Sequence, residues 1–391
     1  MNQQLTTENI HSATIQLLDY CKKNNWAGFD PYDALNSRVF GALPFLNNKL
    51  CRLVLTQGMK RSPLNFRPLF LVPKEQNPKA LGLFISALIR LQSINFSDVS
   101  RDIAALIKII IELRSPNQPD YCWGYHFDWQ GRHNLTPKFS PNIVCTTFAA
   151  NAFLDAYDAY STAEYLDIAV SASRFLLSGL NISREDTGLC FSYTPLDQAR
   201  VHNANFLGAA LLARLYKATG EQKFLDFASR AVSYSVSRQN SDGSWFYGED
   251  DTQQWIDNFH TGFNLVALDT FCRSTGSKEY RKNIEKGYAF FRDNFFTPES
   301  IPKYFHNRLY PIDIHAVAQS IITLTTLKDI DTGAMPLTES MLQWAFKNMR
   351  STEGYFYYQK GRFLKNRISY MRWSQAWMLY SLAIYAQALE K

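Results

Sequence analysis

The sequence predicts an all-α fold: one domain over residues 1–391, built as a closed ring of six helical hairpins with short β-hairpin loops on one face. Three observations predict it. The chain repeats itself at intervals of roughly sixty residues. Helices with one apolar stripe alternate with helices that are apolar almost all round, and a loop with a glycine and an aromatic cluster joins each pair.

The repeat is clearest where Tyr165-Leu166-Asp167-Ile168-Ala169 matches Phe224-Leu225-Asp226-Phe227-Ala228. Tyr165, Ala169, Ala172 and Leu176 fall at helical spacing and form one buried stripe, the pattern of an outer helix. Such helices are expected near 8–25, 96–114, 161–178, 221–239, 277–293 and 337–350. Segments such as Ala204–Tyr216 and Ala376–Leu389 are apolar on every side and must be enclosed. Inner helices of this kind are expected near 79–93, 143–158, 203–218, 260–275, 314–327 and 373–388. Between them lie aromatic arms such as Gly188-Leu189-Cys190-Phe191-Ser192-Tyr193 and Gly354-Tyr355-Phe356-Tyr357-Tyr358, which read as short extended segments. Residues 26–78 form a long insertion with a helix around Leu46–Leu55. A closed ring needs no polar capping repeat, which an open solenoid does.

Composition narrows the function. Hydrophobic residues make up 46% and charged residues 19%, enough for a large core and unlike a disordered chain. The net charge of +6 comes from scattered Lys and Arg, which argues against nucleic acid as a partner. Residues 1–8 lack the basic start and apolar stretch of a secretory signal. The apolar stretch Ile103–Leu113 is too short to span a bilayer and carries Lys108 and Glu112. A cytoplasmic protein without membrane insertion is the expectation. The cysteines show no metal-like spacing, glycine-rich phosphate loops are absent, and no cofactor or metal is implied.

The pattern resembles the (α/α)6-toroid superfamily, which includes six-hairpin glycosidases, N-acylglucosamine 2-epimerases, uronic-acid epimerases and toroid polysaccharide lyases. Gly28-Phe29-Asp30-Pro31-Tyr32-Asp33, Trp255-Ile256-Asp257-Asn258-Phe259-His260-Thr261-Gly262-Phe263 and Arg372-Trp373-Ser374-Gln375-Ala376-Trp377 are similar to segments of uncharacterised bacterial proteins associated with exopolysaccharide biosynthesis. The resemblance implies a saccharide ligand, with polysaccharide-assembly proteins as possible partners, and transfers no catalytic motif.

In a hairpin ring the outer-to-inner loops share one side, so their residues converge on a funnel. His126, His133, His202, His260, His306 and His315 all fall there, and only His11 does not. Aromatic rings that pack on sugar C–H faces are supplied by Trp123, Tyr193, Trp245, Tyr247, Trp255 and Trp373, and Asn142 adds an amide. Asp257, His260 and His202 are the expected acid/base set, because imidazole titrates near neutrality and can remove and return a proton. Asp257 has a second reading as the cap of the helix that follows it. His315 occupies the equivalent place one unit later. Asp30 and Asp33 supply a possible second carboxylate for glycoside cleavage or, alternatively, turn chemistry around Pro31. Arg372 is the candidate clamp for an acidic sugar; the alternative is an ion pair with a loop carboxylate such as Asp33 or Glu353 that orders ring closure. The sequence thus points to a carbohydrate-active protein that cleaves or epimerises a saccharide, against a non-catalytic saccharide-binding scaffold.

Overall fold

The structure, a computed structural model, describes residues 6–131 and 135–390, so His133 lies outside the described residues. In chain order the helices are α1 (Thr7–Lys23), α2 (Arg38–Gly41), α3 (Lys49–Arg61), α4 (Pro78–Ser93), α5 (Ser100–Glu112), α6 (Ile143–Tyr160) and α7 (Ala163–Arg174). The second half continues with α8 (His202–Thr219), α9 (Gln222–Val236), α10 (Asn258–Thr275), α11 (Arg281–Asn294), α12 (Ile314–Thr326), α13 (Ala334–Met349) and α14 (Trp377–Leu389). Helices α4, α6, α8, α10, α12 and α14 form an inner ring in which each packs on the next and α14 packs back on α4. The outer helices α5, α7, α9, α11 and α13 each lie on the inner helix before them, and α1 completes the layer on α14.

Burial explains which helix goes where. α4 is buried along almost its whole length from Pro78 to Leu91, as an all-round apolar helix must be. α9 buries the stripe Phe224, Ala228, Ala231, Val232 and Ser235 and leaves its other face in solvent. Asn77, Asn142, Asp257 and Asp313 cap α4, α6, α10 and α12, their side-chain oxygens accepting first-turn N–H groups.

The loops carry small antiparallel ribbons: β1 (Trp129–Gln130) with β2 (Leu135–Thr136), β3 (Ile182–Glu185) with β4 (Gly188–Phe191), and β5 (Ile312–Asp313) beside β6 (Gln359–Lys360) and β7 (Lys365–Asn366). The recurring loop glycine has a packing cause. At Gly243 a Cβ would sit 2.4 Å from the Lys286 carbonyl of α11, and at Gly354 it would sit 2.7 Å from the Gln16 carbonyl of α1. Both glycines also have positive φ, so the arm lies directly on the next outer helix and turns there. Gly354 seats the last unit on the first.

The insertion departs from its expected boundaries. Its main helix starts at Lys49, where Asn48 accepts the Cys51 N–H, and runs on to Arg61, while Pro44–Leu46 forms a separate short turn. No described helix is long and apolar enough to cross a membrane.

Candidate functional site

A cavity of about 520 Å³ opens where the inner helices begin and the aromatic loops meet. That volume is in the range of small-molecule sites. Tyr32, Phe127, Trp129, Tyr247, Trp255 and Trp373 wall it, and its polar groups include Lys79, Asn203, Asp257, His260, His315 and Arg372.

Asp257 and His260 form a dyad on the first turn of α10. The Asp257 Oδ1 accepts the His260 backbone N–H at 2.9 Å, and Oδ2 lies 2.7 Å from His260 Nδ1. The Trp255 indole N–H also donates to Oδ2, at 3.2 Å, and Trp255 stacks on Tyr247 with centroids 4.5 Å apart. One carboxylate therefore caps the helix with one oxygen and orients the imidazole with the other, so capping does not exclude a second duty for Asp257. A carboxylate against Nδ1 fixes the proton there and leaves Nε2 as the basic nitrogen.

Asp30, Asp33 and Arg372 are arranged differently from the sequence expectation. Arg372 Nε and Nη2 donate to the two Asp30 oxygens at 2.5 and 2.8 Å, and all three residues are buried. Burial pushes the Asp30 carboxyl up, but Arg372 outweighs it and holds the group below the usual carboxylate range. Asp33 is bound to Arg67 at 2.6 Å and accepts the Asp30 N–H at 2.8 Å. Neither aspartate lines the cavity, which removes the second carboxylate proposed for glycoside cleavage. Asp30 also accepts the Tyr32 N–H, the turn chemistry given as its alternative. Arg372 does line the cavity, but Nε and Nη2 are taken by Asp30, so the expected clamp for a sugar anion is instead a contact between the last and first units, with Asp30 as partner in place of Asp33 or Glu353.

Four other expected site residues are corrected. Trp123 is fully buried and donates its indole N–H to the Ile110 carbonyl at 2.7 Å; Trp245 does the same to Ser235 at 2.8 Å. Each pins an outer helix from inside the core. Asn142 spends its side-chain oxygen on the Cys145 N–H and caps α6. His202 lies behind the wall with Nδ1 3.4 Å from the Ser235 hydroxyl, and burial lowers its pKa to about 4. Its neighbour Asn203 faces the cavity instead. Tyr193, Tyr247, Trp255, His315 and Trp373 line the cavity. Among the described histidines of the funnel group, His260 and His315 reach it. His126 is buried against the Asn77 amide at 2.8 Å, and Glu249 is tied to Arg200, Arg238 and Tyr234.

His315 is packed in aromatic rings, stacked on Phe259 and Trp377 with centroids 4.5 Å away and edge-on to Trp373 at 4.7 Å. Both its ring nitrogens are buried without a hydrogen-bond partner. Burial, then the positive charges of Lys79 and Arg372, drive its pKa well below the ordinary value, so the ring is neutral. Lys79 was missed by the sequence reading. It stands two residues after the Asn77 cap, as His315 stands two after the Asp313 cap, and that equivalence was the available signal. Among the described residues no group of His, Cys, Asp or Glu side chains is arranged to hold a metal ion.

No family model matches the chain, and no curated protein does. Solved structures do. Cellobiose 2-epimerase from Bacillus thermoamylovorans superposes with a TM-score of 0.64 at 11% identity, over 80% of this chain and 87% of that one. The GH76 α-mannanase BT2949 of Bacteroides thetaiotaomicron gives 0.61 at 16% identity over 81% and 88%. A Listeria innocua protein gives 0.63 at 14% identity over 98% of both chains. The fold is the (α/α)6 toroid. Within it the cavity belongs to the toroid's N-terminal mouth, the end at which the inner helices start.

Proposed function

We propose that this protein is a carbohydrate-processing enzyme that moves a proton at the carbon next to a sugar carbonyl, as an epimerase or isomerase does. The observation that carries the reading is the Asp257–His260 dyad on the wall of an aromatic cavity. The Nε2 of such an imidazole takes the proton, and the negative charge that develops as it leaves lies beside Lys79. The epimerase and mannanase named above share this fold, which makes a saccharide the natural ligand class. Cleavage is less well supported, because the carboxylate pair it requires is not available: Asp30 and Asp33 are held by Arg372 and Arg67. A neutral sugar is favoured over an acidic one for the same reason. The setting we infer, exopolysaccharide metabolism with assembly proteins as partners, rests on the likeness of the 28–33, 255–263 and 372–377 segments.

The test is proton NMR in D2O with D-mannose, cellobiose and mannobiose. Deuterium entering at C2 supports the reading. Release of monosaccharide without exchange replaces it with cleavage, and calorimetric binding with neither outcome makes the protein a saccharide-binding scaffold.

A further inference from the structure

Lys79 is a lysine where lysines are seldom found. It is only 4% exposed, on the first turn of α4, and it lines the cavity. Its Nζ lies 4.6 Å from the ring centre of Phe148, 5.1 Å from Trp377 and 5.5 Å from Phe263. Among the described residues no carboxylate pairs with it and no acceptor takes its protons. Phe148, Phe263 and Trp377 also line the cavity at the opposite mouth, so these rings plug the axis of the toroid and Lys79 stands on the plug, on the side of the dyad.

A solvated surface lysine costs nothing to keep, whereas this one has been taken out of water without a counter-ion. Burial first and Arg372 next push its pKa down to about 7, with Cys145 and Asp30 pulling the other way. The three rings attract the ammonium form and offset part of that shift. A desolvated lysine beside a second cation is the arrangement that makes an amine nucleophilic at neutral pH. His315, buried with both ring nitrogens unbonded, stands on the same cavity wall and adds no negative charge to neutralise the amine.

We propose that Lys79 is the nucleophile that captures the open-chain carbonyl of a reducing sugar as an imine. Its place in a reaction rests on the proton-transfer reading above. The Nζ lone pair forms a bond to C1, the carbonyl oxygen takes up protons and leaves as water, and a protonated imine remains. The C2 proton then passes to His260 Nε2, and the electron pair of the C2–H bond moves into the imine to give an enamine. Return of a proton to C2 and hydrolysis by one water release the sugar and restore the amine, so no external oxidant or reductant is needed.

The wild-type protein is incubated with D-mannose or glycolaldehyde and sodium cyanoborohydride, and adducts are located by peptide mass mapping. An adduct at Lys79 in preference to exposed lysines such as Lys278, and its absence in Lys79→Arg, is the expected result. Lys79→Met fits the aromatic cage and is expected to keep its melting temperature while losing turnover. Adducts confined to exposed lysines, or full turnover in Lys79→Arg, overturn the inference. Trapping at Lys79 without deuterium exchange sustains the lysine and sinks the proton-transfer reading; exchange with no trapping and an active Lys79→Arg does the reverse.

Discussion

At one mouth of the toroid the inner helices begin, and at the other they end. The cavity at the second mouth is the larger, about 710 Å³ against about 520 Å³. Its carboxylates are nonetheless held by arginines: Arg214 binds Asp155 at 2.8 Å and Asp158 at 3.0 Å, and Arg273 binds Asp269 at 2.6 Å. Arg90, Arg214 and Arg273 sit toward helix C-termini, where a cation meets the favourable end of the helix dipole. At the first mouth Lys79 and His315 meet aromatic rings but, among the described residues, no hydrogen-bond partner, and only one nitrogen of His260 has one. Unbonded atoms occur at both mouths, Arg90 Nε, Gln319 Oε1, Thr325 Oγ1 and Trp377 Nε1 at the second among them, so the difference lies in their kind: the first mouth holds an amine and imidazoles, groups able to carry a proton near neutrality.

Several variants sharpen or break this contrast. His260→Ala removes the proposed base and is expected to lower turnover by about 10²- to 10⁴-fold. Asp257→Asn separates the two duties of Asp257, since asparagine is as good a helix cap as aspartate but cannot hold the imidazole as a carboxylate does. Turnover should fall with the melting temperature unchanged; parallel loss of both would mean that the dyad is only structural. Arg372→Met leaves Asp30 charged and buried, and should cost about 3–5 kcal/mol in denaturant unfolding. An affinity defect without that loss of stability would return Arg372 to ligand binding.

Acid gives a smaller and more distributed effect. His126 and His202 are buried neutral, with pKa values lowered to about 4 from 6.5, chiefly by burial. The unfolded chain takes up protons first, so their contribution to stability is complete above pH 6.5 and is lost as pH falls toward 4. Thermal melts between pH 7 and 4.5 should show a steady decline, and a flat profile would mean that these histidines are not buried as described. At the opposite mouth, Arg273→Ala takes an exposed cation from the buried Asp269 and should cost about 1–3 kcal/mol of stability with no change in turnover. A large catalytic loss there would break the contrast between the mouths.

The ring was legible because burial imposes a periodicity: an inner helix must be apolar all round and an outer one must not. Side-chain direction within a loop leaves no such record. Trp123 and Trp129 belong to one loop, yet the first pins a helix and the second walls the cavity. His202 and Asn203 are adjacent on α8 and point in different directions around the helix, so naming the histidine chose the neighbour that does not face the cavity. The Asp257–His260 pair could be read because its cap-to-first-turn spacing is local. The Asp30–Arg372 pair was not read, and Asp33 or Glu353 stood in its place, since only the folded ring brings its ends together. Lys79 was passed over because a lysine opening an apolar helix reads as a solvated charge.

The seam of the ring also orders events in time. Phe29 pairs with Tyr370, Asp30 binds Arg372, and Gly354 rests on Gln16, so contacts across more than three hundred positions finish the cavity. Closing so long a loop is slow relative to the local pairing of neighbouring helices. A chain emerging from the ribosome can stack most of its hairpins while α4 still exposes the flank that α14 will cover. Until then Arg372 has not reached Asp30, and Trp373 has not supplied its wall. Nascent chains are therefore expected to hold much of the helix content before they hold any site, and to depend on chaperones during that interval.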